Sequence, residues 1–141
     1  MPSEPPAAPR PWSELVKLGA GYLAKHGTPD ARVAAELLMA RLCRCGRGFL
    51  SSLYPRIPAP VQVEAMRRGL ARVAKGEPVQ YVLGEWDFRS LTLKVDRRAL
   101  IPRPETEELV TRVLASPLAN APRPFVVDIG TGTGCIVLSL A

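Results

Sequence analysis

The sequence holds 141 residues with a net charge of +6, 47% of them apolar and 23% charged, the balance of a globular chain rather than a disordered one. That length allows one ordinary domain, or a small domain with part of another. No run approaches the roughly 18 uninterrupted apolar residues of a membrane helix, and the opening MPSEPPAAPRPWSELV has neither the apolar core of a secretory signal nor, with Glu4 and Glu14, the acid-poor composition of a transit peptide.

Residues 1–11 carry five prolines and form a loose lead-in. A helix is expected from Trp12 to Lys25, weakened by Gly19 and Gly21 and ended by Gly27. Thr28-Pro29-Asp30 then restarts the chain. Thr28 can cap, Pro29 suits the first helical position, and Asp30 suits the positive end of the helix dipole. The next helix, Asp30 to about Arg44, is apolar on most sides through Val33, Leu37, Leu38, Met39 and Leu42 and belongs in the middle of a bundle. FLSSLY supplies one or two helical turns, and Pro55, Pro58 and Pro60 a rigid connection. Val61 to Lys75 is amphipathic, with Val63, Met66, Leu70 and Val73 on one stripe and Glu64 placed to pair with Arg68.

At Gly76-Glu77-Pro78 the period changes. Residues 79–95, VQYVLGEWDFRSLTLKV, are rich in the β-branched and aromatic types that favour strands. Trp86 and Phe88 occupy even positions whereas Leu91, Leu93 and Val95 occupy odd ones, so one strand cannot hold both sets on one face. A two-residue turn at Arg89-Ser90 resolves this by setting Phe88 opposite Leu91 in a hairpin. A further helix starts at Pro104, with Glu105, Glu107 and Glu108 in its first turn. Phe125 to Ile129 reads as a buried strand, GTGTG as a loop, and Cys135 to Ala141 as the beginning of another helix. Helix, strand, glycine loop and helix in that order open a doubly wound α/β domain.

Charge divides the chain unevenly. Residues 1–76 hold 12 Lys and Arg against 5 Asp and Glu, and residues 77–141 hold 7 against 8. The basic residues are scattered without interleaved aromatics, so an acidic protein partner suits them and direct nucleic-acid binding is not expected. Cys43, Cys45 and Cys135 are too few and too poorly spaced for a disulfide framework or a zinc site, and no metal is expected. His26, the single histidine, sits at an expected helix end, where a capping role competes with catalysis.

The loop Gly130-x-Gly132-x-Gly134 lacks the lysine and hydroxyl residue of a P-loop, since Cys135 and Ile136 stand there. It also lacks the third glycine spacing of the dinucleotide fingerprint. Asp128 at the end of the expected strand can receive an ammonium but would repel a pyrophosphate. An amino-acid-bearing nucleoside such as S-adenosylmethionine therefore fits better than a dinucleotide, and D-x-G-x-G-x-G resembles the first motif of class I methyltransferases. A glycine turn without a ligand and a nicotinamide-binding Rossmann domain are the competing readings.

EPVQYVLGEWDF at 77–88, IPRPETEELV at 101–110 and DIGTGTG at 128–134 follow one another at close spacing. Together they resemble the release-factor glutamine methyltransferase family, the HemK/PrmC type. DARVAAELLMARL at 30–42 fits that family's N-terminal region, and the resemblance covers about residues 12–141. It implies an α-helical substrate-docking domain over 12–76 behind the lead 1–11, a β-hairpin linker over 77–100, and the beginning of an S-adenosylmethionine-binding Rossmann-like domain over 101–141. The implied activity is methyl transfer from S-adenosylmethionine to the glutamine amide in the Gly-Gly-Gln motif of peptide chain release factors. By the same resemblance Gly130, Thr131, Gly132, Thr133 and Gly134 line the cofactor, with Asp128 behind its amino group. Pro102, Arg103 and Pro104 sit near the site mouth, although Arg103 could equally form a structural salt bridge to a nearby glutamate.

In the family an Asn-Pro-Pro-Tyr motif positions the amide, and this sequence has no such motif. The catalytic residues are therefore unassigned, and the 141 residues are expected to be the inactive N-terminal part of a longer monomeric enzyme. The expected compartment is the cytoplasm, or the mitochondrion for a eukaryotic source. The alternative is a non-catalytic module that docks on a release factor or another acidic partner.

Overall fold

Residues 9–141 are described by the computed structural model and divide into two units, one up to Val82 and one from Leu83 onward. The first eight residues of the proline-rich lead lie outside the described residues. In the first unit, α1 (Trp12–Lys25) buries Trp12, Val16, Gly19 and Leu23, one stripe at helical spacing. Helix α2 (Ala31–Cys43) packs on both α1 and α4 (Pro60–Ala74), and it buries Ala34, Ala35, Leu38, Met39 and Ala40. A 3-10 turn at Arg47–Phe49 and the single turn α3 (Leu50–Leu53) connect them.

Gly19 and Gly69 explain how the helices approach so closely. A Cβ on Gly69 of α4 would lie 2.8 Å from Leu38 Cδ2, and one on Gly19 of α1 would lie 3.0 Å from Leu70 Cδ1. Each glycine costs its helix about 1 kcal/mol of propensity relative to alanine. Interhelical contact offsets that cost, which local propensity alone does not reveal.

The start of α2 differs from expectation. Thr28 does not cap it; its N–H donates to Leu23 O at 3.1 Å, while the Gly27 N–H donates to Ala24 O at 3.0 Å with Gly27 at φ 73°. These two bonds form a Schellman ending for α1. Residue 28 is thus spent on closing one helix, and Asp30 opens the next from a left-handed conformation with no side-chain cap bond. His26 caps α1, its Nδ1 donating to Tyr22 O at 2.9 Å.

Among the described residues of this unit, Glu36 is the buried charge. It accepts from Arg32 Nε at 2.9 Å, Arg47 Nε at 2.8 Å and Tyr54 Oη at 3.2 Å, tying α2 to the 3-10 turn and to the end of α3. Burial pushes its carboxyl up, but the hydrogen bonds from Arg47, Arg32 and Tyr54 outweigh burial and hold it below the ordinary carboxylate range.

Residues 79–83 are a correction. They form a helical turn, α5 (Val79–Leu83), and not strand. Pro78 opens it, accepting from the N–H groups of Tyr81 and Val82 at 3.0 and 3.2 Å. Gly84 at φ 76° ends it. These boundary residues override the β-branched composition.

In the second unit β1 (Glu85–Phe88) and β2 (Leu91–Lys94) pair antiparallel, with Phe88 opposite Leu91 as the alternation of apolar residues requires. Arg89 takes the left-handed conformation, φ 53°, that the tight turn demands of its first central residue. Helix α6 (Pro104–Leu114) holds it there. The Arg89 N–H donates to Glu107 Oε1 at 2.8 Å, and its guanidinium donates to Glu107 O and to Thr111 Oγ1. Phe88, Leu93, Val110 of α6 and Cys135 of the short helix α7 (Cys135–Leu140) form the core of this unit.

The other correction concerns residues 125–129, which do not form a strand. Phe125 and Ile129 are 85% and 92% exposed. A strand needs a neighbour for its ladder of hydrogen bonds, and among the described residues none pairs with this segment. No helix of the described residues is long and apolar enough to cross a membrane.

Candidate functional site

The loop from Asp128 to Gly134 connects the extended segment to α7 and belongs wholly to the second unit. Its three glycines all adopt left-handed φ: 77° at Gly130, 59° at Gly132 and 79° at Gly134. No other residue type takes that conformation so cheaply, so the glycine at every second position is a backbone requirement. A Cβ built on Gly130 meets nothing within 4 Å, and one on Gly132 meets only Gly130 O at 3.8 Å. The backbone at these two positions is thus open to close approach. Gly134 instead faces its own helix, since a Cβ there would lie 3.3 Å from Leu138 Cδ1.

Internal bonds set the loop. Thr131 Oγ1 donates to Asp128 O at 3.1 Å, the Gly134 N–H to Thr131 O at 2.9 Å, and the Leu138 N–H to Gly134 O at 2.9 Å. Two polar atoms are left over. Asp128 Oδ2 and Thr133 Oγ1 are buried and have no hydrogen-bond partner among the described residues. Such groups are few in native proteins and call for an explanation. A carboxylate oxygen can accept only, which suits an ammonium or hydroxyl donor; a hydroxyl can do either.

The residues of IPRP are arranged differently. Pro102 is buried, Arg103 is exposed at the N-cap of α6, and Pro104 is its first helical residue. Arg103 makes no ion pair among the described residues; Glu107 accepts from Arg89, and Glu108 pairs with Arg112 at 2.6 Å. Among the described residues no hydrogen bond or ion pair joins Pro102–Pro104 to the glycine loop. The shared core of Val110 and Cys135 links the two regions through α6 and α7. The sequence pattern singles out the three loop glycines and Asp128; that Asp128 and Thr133 carry the atoms without partners depends on burial, which spacing does not encode.

The helices described above define a class of domain, and comparison with known proteins identifies it. Residues 14–84 match the family model described as the PrmC N-terminal domain. The chain is 35% identical over 136 residues to the release factor glutamine methyltransferase of Rhodopirellula baltica, covering 93% of this chain and 46% of the relative. It is 38% identical over 136 residues to that of Chlorobaculum tepidum, covering 92% and 46%. For the human MTRF1L release factor glutamine methyltransferase the identity is 37% over 137 residues, covering 90% and 40%. The chain therefore belongs to the release-factor glutamine methyltransferase family, and it spans less than half the length of these curated relatives.

Proposed function

We propose that the protein carrying these residues transfers a methyl group from S-adenosylmethionine to the glutamine of the Gly-Gly-Gln motif in peptide chain release factors. In this reading residues 12–76 are the docking domain, 77–100 the hairpin-bearing linker and 101–141 the opening of a Rossmann-like catalytic domain. The observation that carries it is the loop, with its open left-handed glycines and the two buried atoms, Asp128 Oδ2 and Thr133 Oγ1, that no group among the described residues satisfies. Leaving such atoms unpaired costs about 1–3 kcal/mol each, and more for a charged group. A ligand with an amino-acid end and a nucleoside fits them. Its ammonium would donate to Asp128, and its polar groups would reach Thr133 and the backbone at Gly130 and Gly132.

When bound, S-adenosylmethionine supplies a methyl group on a positively charged sulfur. The rest is positioning. Asp128 would hold one end of the cofactor, and the glycines would let the remainder lie against the backbone without a Cβ in the way. In this reading Arg103, exposed beside the buried Pro102 at the start of α6, would stand near the site mouth. An amide nitrogen is a poor nucleophile because its lone pair is shared with the carbonyl, so in-line alignment with the methyl supplies much of the rate. The Asn-Pro-Pro-Tyr motif that the family uses to hold the amide is not among these 141 residues.

The test incubates the complete gene product with S-adenosylmethionine and an unmethylated release factor, then reads the Gly-Gly-Gln peptide by mass spectrometry. One added methyl group on the glutamine is expected, and an unmodified peptide sinks the proposal. A second reading, a docking module without catalysis, is favoured by the core that the helical unit forms from its own residues and by the basic excess of residues 1–76. The intact mass of the native product separates the two. A mass near twice 15.3 kDa supports methyl transfer, and a mass matching this chain supports docking alone.

A further inference from the structure

Helix α1 has two apolar faces. Trp12, Val16, Gly19 and Leu23 enter the core, whereas Leu15, Leu18 and Tyr22, spaced three and four residues apart, line a groove of about 630 Å³ together with Ile57, Val63 and Arg67. Leu18, Tyr22 and Ile57 are 48%, 41% and 58% exposed and give the groove an apolar, accessible floor. Pro58, buried, and Pro60, at the start of α4, stiffen the wall that carries Ile57. A wall of that kind forgoes little entropy on binding.

The charges along the groove are unequal in their engagement. Arg10 pairs with Glu14 at 3.3 Å, and Glu64 pairs with Arg68 at 3.6 Å. Arg67 makes no ion pair among the described residues. Among the described residues the groove therefore offers an apolar floor with one uncompensated guanidinium, on the half of the chain that holds 12 basic residues against 5 acids. Its complement is an apolar segment that carries a carboxylate, because Arg binds carboxylates with charge-assisted, often bidentate bonds beside apolar anchors.

We propose that this groove between α1 and α4 docks an acidic, apolar segment of the protein substrate, with its carboxylate on Arg67 and its apolar side chains over Leu18, Tyr22 and Ile57. The partner's identity as a release factor rests on the function proposed above; the place and the chemistry rest on the groove.

The test measures binding of the 141-residue chain to a fluorescently labelled release factor at low salt. The variants are Leu18→Asp, Arg67→Glu and Arg67→Lys, with Leu109→Asp on the exposed side of α6 as control. Each variant is first checked for an unchanged thermal transition. Leu18→Asp and Arg67→Glu should each weaken binding by about tenfold or more, as loss of an anchor or reversal of a charge does. Arg67→Lys should keep most of the affinity, and the control should keep all of it. Absence of binding by the unaltered chain, or groove variants that bind like the control, overturns the proposal. Should Leu18→Asp disturb folding, the exposed Arg67 substitutions decide the matter alone. Methylation of the Gly-Gly-Gln peptide by the complete gene product is scored separately. Groove variants that bind normally while methylation persists refute the groove only; salt-sensitive groove binding without methylation refutes methyl transfer only.

Discussion

In the helical unit the apolar stripes of α1, α2 and α4 meet one another, and Leu23, Ala35 and Met39 have no exposed surface at all. In the second unit only Val110 is sealed to that degree, with Phe88 at 1%, while Phe125, Val127 and Ile129 stand 85%, 64% and 92% exposed. The difference follows from element type. An amphipathic helix satisfies its own backbone and needs cover on one stripe only, which two neighbouring helices supply within about 60 residues. A buried strand needs hydrogen-bonding neighbours on its edges and cover on both faces. The same apolar content is thus core in one unit and surface in the other.

Substitutions should split along that line. Leu23→Ala removes a fully buried side chain and should cost about 2–5 kcal/mol in chemical denaturation followed by helical circular dichroism. A loss under 1 kcal/mol would mean that the three-helix core is looser than described. Gly69→Val comes next. It drives a branched side chain against Leu38, and overpacking of this kind costs about 1–3 kcal/mol, on top of a poorer fit between α2 and α4.

Glu36→Gln should cost about 1–3 kcal/mol at neutral pH, since it removes the charge that Arg32, Arg47 and Tyr54 surround. The pH dependence carries a sign. Because the folded carboxyl titrates below its ordinary value, its contribution is complete above that value and is lost as pH falls through the lower folded one. The gap between the unaltered chain and Glu36→Gln should therefore narrow only in acid. A gap that widens in acid would contradict the network. At the small end, Phe125→Ser should change stability by no more than about 0.5 kcal/mol, since this ring is exposed. A larger loss would show that the segment is covered after all.

The readable parts of the chain were those in which one residue sees one local rule. The stripe Val63, Met66, Leu70, Val73 implied α4, and the change of parity between Phe88 and Leu91 implied the hairpin and its register. Glycine at positions 130, 132 and 134 implied a loop of left-handed turns. Parts that depend on two rules at once were not readable. Thr28 could serve either the end of α1 or the start of α2, and backbone bonding chose the former. Val79–Leu83 has the composition of a strand inside the punctuation of a helix. Gly19 looked like a defect of α1 until the close approach of Leu70 was in place, and Gly69 of α4 gave no signal at all. Leu18 and Tyr22 fell outside the core stripe of α1, and only their spacing from Leu15 marked a second face.

The clamp on the hairpin turn has a consequence for synthesis. Arg89 is held in its left-handed conformation by Glu107 and Thr111, which lie 18 and 22 residues downstream. A growing chain therefore exposes β1 and β2 before the residues that fasten their turn have been made. The Arg-Ser turn is not one that hairpins favour, so the turn gains these stabilising bonds only once α6 has been made. In vectorial production of this protein the hairpin is dated by the helix that follows it, and the helical unit, complete by Val82, is free to fold first.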